Sequence, residues 1–323
     1  MIARSAPMDT RAESSVNAPI AADELLRLQR RSDARGLSRL AGHLAAIGGT
    51  GWLYTLALER SASLALSTLG AIGFGFTLVT MFAAMHECVH RTAFKSQWLN
   101  DSVGWFAGLS SFYNSTFYRP YHASHHRFTQ LPGKDPELED PKPTSFLGYA
   151  VELSGLTWWL GKLKTHARLA LGRTETYPFL TIRTAPRVMR SVRWQLFTYA
   201  AASAASVALG RLYFVTYWLV PVALAQPLLR AILLAEHTGC SQNDDALTNT
   251  RTTHTLWPVR FLMWEMPYHA EHHRYPALPF FSLAGAHRSI GPHLLHVARR
   301  GYLGVHADFL QQLAKKAAPE RTA

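Results

Sequence analysis

Apolar residues in this chain are gathered into four long blocks, near Leu40–Leu58, Ser63–Met85, Trp194–Leu209 and Leu212–Ala235. Each is close to the roughly 20 helical residues that a bilayer crossing needs. The first two are separated only by a turn around Glu59–Ser61, and the last two meet at Gly210 and Arg211. Short polar joints between long apolar blocks predict two helical hairpins. The third block is rich in Ala and Ser, and such small residues let helices approach closely. The pattern therefore predicts an all-α integral membrane protein with about four transmembrane helices, capped on one side by further helices.

The segment between the hairpins, roughly 86–193, is mixed. Trp98–Tyr118 is apolar with aromatic ends but too broken for a fifth span; it is expected to dip into the membrane or lie along it. Phe146–Leu171 sets Trp158 and Trp159 beside Lys162, Lys164 and Arg168, the composition of a helix lying in the interface. Gly133–Pro143 reads as a rigid acidic loop. Three regions follow: 1–39, a disordered tail (residues 1–22) and a basic juxtamembrane helix over 23–39; 40–290, the membrane domain; and 291–323, a C-terminal tail. The N-terminal residues have no continuous apolar core, so they do not read as a secretory signal.

Charge orients this picture. The 323 residues carry 33 Lys and Arg against 21 Asp and Glu, a net charge of +12. Arg27, Arg30, Arg31, Arg35 and Arg39 precede the first block, whereas the two hairpin turns carry only Arg60 and Arg211. The positive-inside rule then puts both termini and the central segment in the cytoplasm. No nucleic-acid-binding motif accompanies the basic residues, so a membrane is the expected partner and nucleic acid is not. Two cysteines, Cys88 and Cys240, exclude a disulfide scaffold and read as reduced structural thiols.

The candidate chemistry lies in histidine. Of 16 histidines, eight fall in three short groups: His86 and His90; His122, His125 and His126; His269, His272 and His273. Spacings of three and four put each group on one helix face. Imidazole is a borderline ligand suited to iron, zinc, copper and nickel. Eight ligands exceed one tetrahedral zinc and suit two metals with four or five nitrogens each. His86 begins where the second block ends, and His237 sits where the last block ends, so the groups gather at the cytoplasmic membrane face. His237 is taken as a ninth ligand. His43, His166, His254, His287 and His306 are scattered and read as solvated or structural, and His293 and His296 are left out of the site.

HxxxH, HxxHH and HxxHH in this order, with two hairpins, resemble the membrane fatty acid desaturase superfamily. The resemblance covers about residues 40–290, and the flanking Pro120–His122, Gly133–Pro136, Met266–His269 and Tyr275–Pro276 agree with it. It implies a non-haem centre of two Fe held by His86, His90, His122, His125, His126, His269, His272 and His273, with O2 as co-substrate. His237 matches the additional histidine that acyl-CoA desaturases use. Some of those enzymes carry an Asn one turn earlier, where this chain has Leu233, and their first box is one residue longer. The chain is therefore not a close match to that subgroup.

The implied activity is an O2-dependent desaturase acting on a fatty acyl or related lipid chain. A hydroxylase or ketolase of the same superfamily, acting on a lipid, alkane or carotenoid, uses the same boxes. A histidine-rich metal transporter would instead spread its ligands along the spans. Reduction of O2 to two waters takes four electrons, two of which must come from a donor. No G-x-G-x-x-G, cysteine cluster or haem-binding HPGG segment supplies one here, so a separate ferredoxin or cytochrome is implied. Arg183, Arg187, Arg190 and Arg193 offer a basic surface for an acidic donor or for lipid headgroups. Glu87, Glu236 and Glu271 are placed to orient imidazoles or to cap helices, and Asp135 and Asp140 to shape a turn.

Overall fold

A computed structural model describes residues 20–139 and 142–317. The expected disordered tail falls almost wholly outside these residues, as do Asp140 and the last six positions. The described chain is mostly helical. Helix α1 spans Ala22–Leu28, α2 Asp33–Glu59, α3 Leu64–Val79, α4 Met81–Val89, α5 Gln97–Ser111 and α6 Ser115–Phe128. Then come α7 (Phe146–Ser154), α8 (Leu156–Ala170), α9 (Ala185–Ala208) and α10 (Val220–His237), the last entered through a π-turn at Val215–Leu219. The chain ends with α11 (Trp257–Leu262), α12 (His269–Arg274), α13 (Phe280–Ile290) and α14 (Gly301–Ala317). A two-residue parallel pairing of Thr252–Thr253 with Val297–Ala298 is the one sheet among the described residues.

All four apolar blocks are helical. Two stretches, Leu64–Val89 and Val215–His237, are long and apolar enough to cross a membrane. These two pack along each other, and Gly75 shows how closely: a Cβ there would overlap the Pro221 carbonyl. Only a residue without a side chain lets α3 and α10 meet at this point. Helix α4 continues α3 past Thr80 and is buried along its whole length, walled by α5 and α6. α2 lies against α3, where buried His43 accepts from the Trp264 indole and its other nitrogen meets the Thr77 carbonyl oxygen at 2.9 Å. The outward faces stay apolar, with Trp52, Leu53, Leu64, Leu69, Phe197, Val207 and Leu224 exposed.

Three local expectations are corrected. The basic stretch 23–39 is two helices: α1 ends at Leu28, and Ser32 caps α2 by accepting from the Arg35 amide. Arg35 and Arg39 therefore belong to the same rod as the first apolar block. The stretch Phe146–Leu171 breaks at Gly155, whose φ of 75° ends α7 and starts α8. Trp98–Tyr118 likewise divides at Phe112, in a left-handed conformation (φ 58°), so that α6 can turn back beneath α4.

Candidate metal centre

Four helices deliver nine imidazoles to one buried place. α4 carries His86 and is capped at its C-terminus by His90, α6 carries His122, His125 and His126, α10 ends on His237, and α12 carries His269, His272 and His273. Asn114 caps α6 by accepting from the Phe117 amide, which sets the phase of its histidines. The short α12 is entered after Pro267 and presents all three of its histidines inward, fully or almost fully buried.

The nitrogens divide into two sets. His86, His90, His122, His126 and His272 form one group of mutually close donor atoms, and His125, His237 and His273 form a second. His269 belongs with the second, its Nε2 lying 3.2 Å from that of His237 and 3.1 Å from that of His273. In the first set, Nε2 of His122 is 2.6 Å from that of His86 and 3.0 Å from that of His126, which lies 3.1 Å from that of His272.

These facing nitrogens test whether a metal fits. A neutral imidazole has one donor and one acceptor nitrogen, so five converging rings cannot all be satisfied by one another. Protonation is no remedy, since burial holds His122, His126, His269, His272 and His273 well below the usual histidine range and takes His90 down to about 3. Two nitrogens about 2.1 Å from one ion, at right angles, lie about 3.0 Å apart. Except for the shorter His86–His122 contact, the observed separations match that spacing, and neutral lone pairs aimed at a common point are what a divalent metal takes.

The sets differ in what stands behind them. Nδ1 of His86, His122, His126 and His272, and of His269 alone in the second set, is buried without a partner. In the second set, His125 Nδ1 meets Asp135 Oδ1 at 2.9 Å, His237 Nδ1 donates to the Asn249 carbonyl at 3.2 Å, and His273 Nδ1 is 3.2 Å from Thr129 Oγ1. Asp135 also accepts from the amides of Gln130 and Glu137, at 2.8 and 2.9 Å. It thus shapes its turn, as expected, and also orients a histidine. Burial opposes charge on His125, but Glu137 and Asp135 outweigh it and raise its pKa. Burial likewise opposes a charged Asp135, yet its hydrogen bond to His125 keeps it low.

Glu137, which sequence reasoning missed, lies 3.6 Å from His125 Nε2 and is close to His122 as well. Its only sequence signal is its place in the acidic loop after the second box. Glu236 reaches His269 Nε2 at 3.5 Å. Glu87 and Glu271 touch none of the nine imidazoles. Glu87 accepts from Thr92 Oγ1 and the Phe280 amide, tying α4 to α13. Glu271 pairs with Thr252 and His287 instead. His166 is buried against Lys162 and Gln195, and His306 joins Tyr149 to the Ala231 carbonyl, so both are structural.

A family model described as fatty acid desaturase matches residues 62–303. The chain belongs to the fatty acid desaturase family. It is therefore an oxidoreductase, since forming a double bond from two C–H bonds is an oxidation. An sn-1 oleoyl-lipid 12-desaturase of Picosynechococcus is 26% identical over 67% of this chain and 66% of its own length. A desaturase of the same name from Synechocystis is 26% identical over 72% of this chain and 77% of its own. A sphingolipid delta(4)-desaturase-like protein of Oryza sativa subsp. japonica is 26% identical over 70% of this chain and 65% of its own length.

Proposed function

We infer that this desaturase-family chain is an integral membrane enzyme that uses O2 to introduce a double bond into a lipid-borne acyl chain. The observation that carries the reading is the division of nine buried or half-buried histidines into two facing sets. His86, His90, His122, His126 and His272 would hold one iron, and His125, His237, His269 and His273 the other. When bound, iron supplies the O2-dependent oxidation of unactivated C–H bonds that no side chain can perform. The chain's own part is to hold the imidazoles fixed, and to bury the site so that water is excluded.

The acyl-lipid substrate is drawn from relatives named for oleoyl-lipid and sphingolipid desaturation. Two of the four electrons that reduce O2 come from the substrate C–H bonds, and a separate ferredoxin or cytochrome provides the other two. The four long helices and their exposed apolar faces support two membrane hairpins, with the termini and the histidine site in the cytoplasm. The gathering of the ligands at one end of α10, rather than along it, speaks against a metal transporter.

The test is expression in a host followed by mass spectrometry of its lipids and free acids, with His272→Ala as control. Loss of two hydrogens from an acyl chain, dependent on His272, is expected, together with about two irons per chain, from the ligand count. Gain of one oxygen would reassign the chain to a hydroxylase or ketolase. Activity supported by a single zinc would end the two-iron reading.

A further inference from the structure

Arg230 lies on α10, inside a stretch long and apolar enough to cross a membrane. An ionisable group in such a place is expensive and ordinarily has a dedicated partner. Among the described residues, no carboxylate lies within ion-pair distance of it. Its contacts are neutral. One Nη donates to the Tyr113 phenol oxygen at 2.8 Å, and the guanidinium sits 5.3 Å from the Trp158 ring centroid. Its Nε is buried without a partner.

One turn earlier on the same face, Gln226 is fully buried, and both atoms of its amide are unpartnered. The two side chains border one spot, because a Cβ on Gly155 would meet Gln226 Cγ at 3.1 Å and Arg230 Cγ at 3.9 Å. Tyr113 completes the group. Its oxygen already accepts from Arg230 and from the Trp158 indole at 3.0 Å, which leaves its own O–H to donate. The cluster thus offers the Arg230 Nε–H, the Gln226 amide and the Tyr113 O–H beside a fixed positive charge. Water could satisfy the amide but would leave the charge unanswered. An oxygen with free lone pairs, ionised or strongly polar, answers both.

Its position gives that oxygen a role. Seven residues of α10 separate Arg230 from His237, about 10 Å of helix. Between the cluster and the histidines stand aromatic rings: Tyr113 meets Phe82 at 4.5 Å and Tyr118 at 5.8 Å, and Tyr118 stacks on His122 at 4.9 Å. We propose that Gln226, Arg230 and Tyr113 hold the oxygen-bearing end of the acyl substrate, a carboxylate or an ester carbonyl, while its alkyl chain extends along these rings toward the histidine sets. The distance from anchor to histidines then governs which carbon is presented. This assignment rests on the acyl-chain reading above.

The experiment uses the purified full chain in detergent, with iron content measured, and equilibrium binding of labelled oleate, methyl oleate and 1-octadecene. Oleate or methyl oleate should bind more tightly than 1-octadecene, which has no oxygen. Arg230→Gln should weaken that binding about tenfold or more, with iron content unchanged, and Arg230→Lys should recover part of it. Gln226→Leu and Tyr113→Phe, which remove no charge, should each weaken it several-fold, and they serve if Arg230→Gln fails to fold. A carboxylate occupant shows as oleate binding ahead of methyl oleate, a preference lost in Arg230→Gln. An ester occupant shows as both ligands weakening together. The proposal is overturned if 1-octadecene binds as well as the other two, or if Gln226→Leu and Tyr113→Phe leave binding unaltered. Binding that needs the ligand's oxygen, with neither a desaturated nor an oxygenated lipid formed in the host, would remove the proposed acyl-chain reaction and leave the binding site standing.

Discussion

A histidine becomes a useful ligand only when something fixes its ring and its tautomer, and here the two sets are fixed in different ways. His125 is held by a carboxylate that is itself pinned by two backbone amides, whereas His122 and His126 are held by neighbouring rings. Asp135→Asn keeps the size and a turn acceptor but removes the charge behind His125. It should lower iron affinity or turnover about 10- to 100-fold, the usual cost of losing such a support, measured by iron titration and by rate. His237→Ala asks more: it removes a nitrogen from the smaller set, so bound iron should fall toward one per chain while the protein still inserts. Full iron and full activity in that variant would return His237 to a structural role. The eight box histidines were legible as candidates because helical spacing is local information. Asp135 as a support and Glu137 as a neighbour were not, because a loop's path back over α6 is a tertiary fact that no spacing encodes.

At the scale of elements, the apolar blocks located the four long helices, although α2 and α9 begin well before their blocks, at Asp33 and Ala185, and other misjudged boundaries lie where backbone chemistry overrides composition. Gly155 is a helix breaker by its positive φ, and a run of aromatics and lysines concealed it. Ser32 is an ordinary N-cap, a signal present in the sequence but outweighed by the run of arginines around it. The closeness of α3 and α10 could not be read at all, since an isolated glycine in an apolar helix has several explanations. The structure gives it one. Gly75→Val would push a branched side chain into the Pro221 carbonyl and separate α3, which leads into the helix of His86, from α10, which ends on His237. Overpacking of this kind costs about 1–3 kcal/mol, so a lowered unfolding temperature in detergent is expected. Weakened iron binding should accompany it, because the two helix ends would no longer meet. Gly73, whose added Cβ meets nothing, is the control: Gly73→Val should leave both measurements nearly unchanged.

At the scale of the whole molecule, the open question is how many of the four long helices cross the membrane. Among the described residues, only Leu64–Val89 and Val215–His237 are apolar enough by composition. Yet α2 and α9 are as long as a span requires, and they too expose apolar faces, Trp52 and Leu53 on one and Phe197 and Val207 on the other. The two alternatives differ at the N-terminal end of α2. If α2 crosses, exposed Arg31 lies on the opposite side from Ser61; if it does not, both lie on the same side. Thr176, exposed in the central segment, marks the side of the histidine site. Single cysteines at Arg31, Ser61 and Thr176, probed with a membrane-impermeant thiol reagent in sealed cells, separate the cases. Native background should be low, because Cys88 is buried and burial pushes the Cys240 thiol up to about 11, leaving it protonated and slow to react. The charge distribution, with Arg60 and Arg211 alone in the turns, predicts labelling from outside at Ser61→Cys only. Labelling of Arg31→Cys from outside as well would leave α2 on the surface and reduce the fold to three spans.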